Sequence, residues 1–318
     1  MSMGEREPMR RGYVYGPVPS RRLGLSLGID IVPAKVCTLD CVYCQIGRTT
    51  ERSTDRRDFF DVREVLSELE GVLAGGVQAD FVTIGGSGEP TLNARLGELI
   101  DGIREVTDIP LAIITNGTLL FRADVRADCA KADVVVPSLD AGDAATFELV
   151  NRPAPDISIE KLVSGLAAFR EVFSGQIWLE VFLIEGANTS PEQLVVLRSH
   201  IERIRPDKIQ LNSAVRPVAE EGIEALSRDR LEAIARQLGE NCEIVGAAPE
   251  AHMSPHIERT RDDVLSTLKR RPCSVDDLCC GLGINRHEAA KHLAYLVEQG
   301  HITSECREGV TYYRSLCD

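Results

Sequence analysis

The sequence predicts an α/β fold: a partial (β/α)6 barrel followed by a small C-terminal winged helix-turn-helix domain. Three observations carry this. From about residue 25 to 215, short β-rich runs alternate with helical stretches of ten to fifteen residues, the pattern of parallel βαβ units. Those runs end in polar or glycine-rich segments, as barrel strands do where they carry functional loops. After about residue 250 the rhythm changes, and residues 248–255, with two prolines and no periodicity, read as a linker. The predicted domains are therefore 1–250 and 255–318.

The elements follow in order. Residues 25–32 are an apolar run leading straight into a cysteine loop, and 61–73 repeat apolar positions at helical spacing. Residues 80–84 form a short strand ending in glycines, followed by a helix over 94–106 and strands over 110–115 and 132–137. A helix over 158–172, a strand over 176–184, a helix over 191–204 and a strand over 208–211 complete the six units. Beyond the linker, 257–270 is helical, 274–281 is a short helix capped by Ser274, and 285–299 is a longer helix stopped by Gly300. Residues 301–305 and 310–314 pair as a hairpin around Glu308-Gly309, which makes the wing.

The chain of 318 residues can bury a substantial core, and 43% apolar with 27% charged residues is the balance of a soluble globular protein. No run of about 18 apolar residues is present, so no membrane partner is expected, and the N-terminus lacks the apolar centre of a signal peptide. Ten cysteines without an export signal point to the cytoplasm, where thiols are available as metal ligands. The formal charge of −13 opposes a large polyanionic substrate, although Arg6, Arg10, Arg11, Arg21 and Arg22 gather positive charge at one end.

Cys37, Cys41 and Cys44 form a C-x3-C-x2-C triplet with no fourth ligand close by. Iron–sulfur cubanes take cysteine thiolates, normally four, so three leave one iron open to an exchangeable ligand. A structural zinc site wants four ligands, usually in two pairs, and no matching pair follows. A disulfide framework does not suit a chain without a secretory segment. Buried cysteines acting as small apolar residues are the remaining alternative.

The strand ends offer further polar groups. Gly85-Gly86-Ser87-Gly88-Glu89 lets backbone approach a ligand closely, and Glu89 can accept from an ammonium; an ordinary glycine turn is the other reading. Asn116 lies in Thr115-Asn116-Gly117, and Ser138 and Asp140 in Pro137-Ser138-Leu139-Asp140, which also read as a turn and a helix cap. The last two strands supply Glu180 and Asn212, followed by Arg216; Arg216 and Arg152 suit bidentate capture of a carboxylate or phosphate, and equally read as surface arginines paired with a nearby acid.

With Tyr43 before its last cysteine, the triplet resembles the cluster motif of the radical S-adenosylmethionine (radical SAM) superfamily. The stretch from Tyr15 to Gly24, with Ser26 to Asp30, is similar to the branch of the tRNA wyosine-synthesis enzymes and their relatives. The resemblance implies a partial (β/α)6 barrel and a 4Fe–4S cluster whose open iron is chelated by SAM. It also implies reductive cleavage to a 5′-deoxyadenosyl radical, and hydrogen abstraction from a substrate that the sequence does not name. Ser87-Gly88-Glu89 resembles the family's Gly-Gly-Glu segment, which binds the SAM amino group, with serine at its first position. Ser138 and Asp140 resemble ribose and carboxylate contacts. Asn116 is a candidate to orient SAM or substrate. In the family the ends of the last two strands contact adenine, largely through backbone, and line the substrate opening, with Asn212 the best side-chain candidate there. Tyr43 is expected to pack over cluster and adenine. An electron donor of the reduced flavodoxin or ferredoxin type is implied.

Over residues 255–318 lysine and arginine number nine against ten acids, too weak a footprint for DNA. The helix bearing Arg286, His287, Lys291 and His292 is only mildly basic, so substrate docking or dimerisation is the expected role. Cys273, Cys279, Cys280, Cys306 and Cys317 raise the question of a second metal site, though no spacing matches a standard one. The leading expectation is a radical SAM enzyme acting on a peptide, protein or small molecule. The alternatives are tRNA base modification and a redox-responsive DNA-binding regulator.

Overall fold

The computed structural model describes residues 12–245, 261–284, 286–307 and 309–316. The predicted linker, the start of the 257–270 helix, Arg6, Arg10, Arg11 and Cys317 lie outside the described residues.

An antiparallel hairpin opens the chain, β1 (Val14–Ser20) on β2 (Gly24–Ile29). The two-residue strands β3 (Val36–Cys37) and β4 (Glu51–Arg52) pair across the base of the cysteine loop. The β/α succession then runs α1 (Val62–Ala74), β5 (Phe81–Ile84), α2 (Leu96–Val106), β6 (Leu111–Thr115), α3 (Ala123–Cys129), β7 (Val134–Pro137), α4 (Ala144–Val150), α5 (Ile159–Val172). It continues through β8 (Gln176–Phe182), α6 (Pro191–Ile204), β9 (Lys208–Asn212), α7 (Arg228–Leu238) and β10 (Cys242–Ile244). The sheet order is β1-β2-β5-β6-β7-β8-β9-β10, and every pair after the first is parallel. The six expected strands are present, with an extra strand on each edge.

Local chemistry explains the boundaries. Asp61, Ser158, Ser190 and Ser227 each accept a backbone N–H at the start of their helices, supplying partners the first turn lacks. All four residues of β7 are buried, because helices cover one face and the barrel interior the other. Ile113 and Val135 join the core under the helices, whereas Ala112, Val134, Val136 and Trp178 pack inward around Leu23. Leu23 belongs to the β1–β2 turn, so that turn plugs the barrel interior.

The C-terminal unit comprises α8 (Arg261–Arg270), β11 (Cys273–Ser274), α9 (Val275–Leu282), α10 (Arg286–Glu298), β12 (Ile302–Arg307) and β13 (Val310–Ser315). Its sheet, ordered β11-β13-β12, has one strand more than the expected wing. Val264, Leu268, Leu278, Leu282 and Leu293 give it a core of its own. Ser274 and Asp277 form a capping box at α9. The unit grips the barrel on two sides. A Cβ on Gly281 would stand 2.9 Å from Pro19, so α9 lies flat on edge strand β1. Arg270 stacks 4.2 Å over the Tyr15 ring and donates to Gly12 O at 2.7 Å. On the other side Arg216, beyond β9, pairs with Asp277 at 3.0 Å, and Arg307 donates to Ile223 O at 3.0 Å. The unit thus spans from one edge of the open sheet to the loop following β9.

Candidate active site

Cys37 ends β3, and Cys41 and Cys44 follow in a loop tied to the end of α4 by Asp40 N donating to Asn151 O and Val42 N to Val150 O. Two of the three sulfurs receive side-chain amides: Asn116 Nδ2 lies 3.4 Å from Cys37 Sγ, and Asn151 Nδ2 3.3 Å from Cys41 Sγ. Backbone N–H groups of Ile46 and Gly47 serve Cys44. Burial pushes all three thiols up, Cys37 to about 12, and each of Cys37 and Cys41 is raised further by neighbouring cysteines. The three sulfurs therefore lie within electrostatic reach of one another. Among the described residues no three His, Cys, Asp or Glu side chains gather closely enough for a single metal ion. A cubane spreads its ligands over separate irons, so an all-thiol triplet with N–H groups aimed at its sulfurs fits a cluster better than zinc.

The glycine loop after β5 is stitched to the cysteine strand. Lys35 N donates to Ser87 O at 2.7 Å and Glu89 N to Val36 O at 3.0 Å, while a Cβ on Gly88 would fall 2.3 Å from Val36 O. Only glycine permits that approach. Ser87 Oγ donates to Asp30 at 2.6 Å, and Asp30 in turn faces Arg270 of the C-terminal unit at 3.5 Å. The Glu89 carboxylate, assigned to an ammonium from sequence, already takes four protein donors: Thr91 N at 3.0 Å, Thr91 Oγ1 at 2.6 Å, Thr115 Oγ1 at 2.5 Å and Asn116 N at 2.7 Å. Burial raises its pKa against those donors. Glu89 thereby locks the Asn116 turn, and Asn116 meets Cys37.

The opposite wall is built the same way. Tyr43 stacks on Phe182 with centroids 4.0 Å apart and donates its hydroxyl to Asp140. Asp140 also accepts from Asn151 at 2.8 Å and Phe182 N at 2.8 Å; burial raises its pKa to about 6. Ser138 is half-buried, and its hydroxyl has no hydrogen bond among the described residues. Asn212 donates to Glu180 at 2.8 Å, and Arg22 pairs with the other oxygen of that carboxylate.

The cysteine triplet, Tyr43, the Ser87–Glu89 segment, Asn116, Ser138, Asp140 and Asn212 lie in this neighbourhood or on the strand ends that frame it. Asn151 and Asp30 were not anticipated, nor was Thr38, whose hydroxyl accepts from Asn116 Nδ2 at 2.8 Å. Asn151 stands beside Arg152, whose charge drew attention instead; Arg152 pairs with Glu220 at 2.9 Å rather than standing free as a clamp. In the C-terminal unit Cys273 is buried in the core and Cys306 is exposed, and the described residues hold no second group suited to a metal ion.

No helix among the described residues is long and apolar enough to cross a membrane. The chain is 38% identical over 303 residues to a protein of Brachyspira hyodysenteriae named GTPase Obg, a match covering 94% of this chain and 45% of that one. It thus spans less than half of that relative, and having no Gly-Lys dipeptide it carries no phosphate loop of the G-x4-G-K-Ser/Thr kind. It is 30% identical over 304 residues to a UPF0026 protein of Helicobacter pylori, covering 94% of this chain and 96% of that one. A radical SAM methyltransferase from Sphaerobacter thermophilus shares the fold at TM-score 0.52 and 15% identity, over 69% of this chain and 65% of its own. The sequence model of the radical SAM superfamily matches residues 31–197. That match covers more than half of the chain and makes it a member of the radical SAM superfamily, enzymes that work with a 4Fe–4S cluster and S-adenosylmethionine.

Proposed function

We propose that this protein holds its cluster on Cys37, Cys41 and Cys44, binds SAM over the glycine loop, and abstracts hydrogen from a substrate lodged in the barrel. The observation that carries this reading is the contact between Gly88 and the cysteine strand. It sets a stretch of backbone without side chains beside the position a chelating SAM must reach. When bound, the cluster supplies an electron to the SAM sulfonium, releasing methionine and a 5′-deoxyadenosyl radical that takes a hydrogen atom from substrate.

The chain's own residues have distinct tasks in this reading. Asn116 and Asn151 hold two of the sulfurs by N–H donation, which also tunes an iron–sulfur potential. Glu89 acts by fixing Asn116. The Tyr43–Phe182 stack forms a flat apolar wall that excludes water beside Cys44. Ser138 offers an uncommitted hydroxyl for a ribose, and Asp140 orients Tyr43 and Asn151. Asn212 and Glu180 face the substrate side.

Residues 255–318 are read as a winged-helix domain. With α8 and α9 committed to β1 and its turn, its task is to close the barrel rather than to bind DNA. A reduced flavodoxin or ferredoxin would deliver the electron. The nine described cysteines are all free thiols, which supports a reducing cytoplasm. The charge of −13 disfavours tRNA as substrate.

Anaerobic reconstitution should load about four irons per chain, and alanine at any of the three cysteines should abolish loading. Dithionite and SAM should then yield 5′-deoxyadenosine. A fully loaded protein that forms none refutes the proposal.

A further inference from the structure

Four arginines from separate parts of the chain converge around the β1–β2 turn beside the candidate site. Arg21 and Arg22 lie in the β1–β2 turn, Arg216 follows β9, and Arg271 follows α8. Two of the charges are answered, Arg22 by Glu180 and Arg216 by Asp277. Arg271 donates to Pro19 O, at 3.3 and 3.4 Å, its charge also acts on Asp277, and its Nε is buried with no hydrogen-bond partner among the described residues. The Arg21 guanidinium has no ion pair or hydrogen bond among the described residues. Burial, together with Arg216, Arg22 and Arg271 around it, lowers the Arg21 pKa to about 10 against the opposing pull of Glu180.

The group is enclosed, since the Arg216 and Arg22 side chains are only 7% and 18% exposed. It also adjoins the cysteine loop: the Glu180 carboxylate that Arg22 holds raises the pKa of both Tyr43 and Asp140. Four guanidiniums packed around two carboxylates are costly to enclose. Guanidinium forks match tetrahedral oxyanions bidentately.

We infer that Arg21 and Arg271, flanked by Arg22 and Arg216, form the binding site for a phosphate monoester on the substrate. Four guanidiniums share two carboxylates, Glu180 and Asp277, and a phosphate monoester carries close to two negative charges. The enclosure and the overall charge of −13 select a small phosphorylated molecule over a polynucleotide. This inference rests on reading the barrel interior as the substrate chamber.

The test titrates inorganic phosphate into the reconstituted full-length chain at fixed ionic strength, with succinate as a second arm. Saturable binding at one site is expected, at least tenfold tighter than succinate and at least tenfold weaker in Arg21→Gln. Without phosphate, Arg21→Gln should melt at or above the wild-type temperature, because one of four crowded positive charges has been removed. Where Arg21→Gln does not fold, Arg271→Gln carries the same comparison. Absence of saturable binding, equal affinity in the variant, or succinate binding as tightly as phosphate overturns the inference. Measuring 5′-deoxyadenosine on the same sample separates the two readings. Product without phosphate binding removes only this site, whereas phosphate binding without product removes only the enzymatic proposal.

Discussion

Glu89 gives the sharpest test of how the site is held together. Its carboxylate accepts from two backbone N–H groups and two hydroxyls while 2% exposed. In Glu89→Gln the amide oxygen can keep the three donors on one side, but the new NH2 then faces Asn116 N–H, donor against donor. One buried N–H left unsatisfied costs about 1–3 kcal/mol. The remaining three bonds fall from charge-assisted to neutral, roughly half as strong. Relief of the buried charge, whose desolvation raises the pKa, offsets part of this. The net loss should be about 2 kcal/mol, a few degrees of Tm in a chain of this size. Glu89→Ala orphans all four donors and should lose at least twice as much. Because Asn116 loses its anchor, iron loading should fall with stability in the same order, wild type above Gln above Ala. Thermal melting of the apoprotein and iron analysis after reconstitution would show it. An alanine variant that melts and loads like wild type would mean that the Glu89 network does not position the cluster loop.

Other consequences follow from single contacts. Gly88→Ala pushes a methyl into Val36 O and should cost about 1–3 kcal/mol by overpacking; melting should register it, with iron loading impaired although no cysteine changes. Gly281→Leu should lever α9 off β1 while leaving the cysteine loop intact. Limited proteolysis should release the C-terminal unit while iron loading stays at wild-type level. Glu180 has its pKa pushed up by burial but pulled net below the ordinary value by Arg22 and Asn212. Its contribution to stability is therefore present above about pH 4.5 and lost as pH falls through the folded value. The stability gap between wild type and Glu180→Gln should be widest near neutrality and close in acid; a gap independent of pH would contradict that pairing.

Much of the fold was legible because its signals are local. Helical spacing, serine and aspartate caps, and apolar strand runs each lie within one element. The hairpin strand β1 was missed as a strand, since Pro17 and Pro19 interrupt the donor pattern; proline is tolerated there because β1 is an edge. Helices α3 and α4, seven residues each, are too short to show periodicity. The region after β9 was left without elements, yet it forms α7 and β10.

The cofactor class was written into the chain itself, because thiolate spacing along a short loop dictates what that loop can ligate. Which polar groups stand free and which are spent on one another was decided only by folding. Ser87 meets Asp30 across 57 residues, Tyr43 meets Asp140 across 97, and Asn151 meets Cys41 across 110. Hydrogen-bond partners at such separations are chosen by sheet register and loop packing, which no stretch of sequence carries alone. The arginine group is of the same kind, drawn from a turn, a strand end and the C-terminal unit only when that unit closes over the barrel.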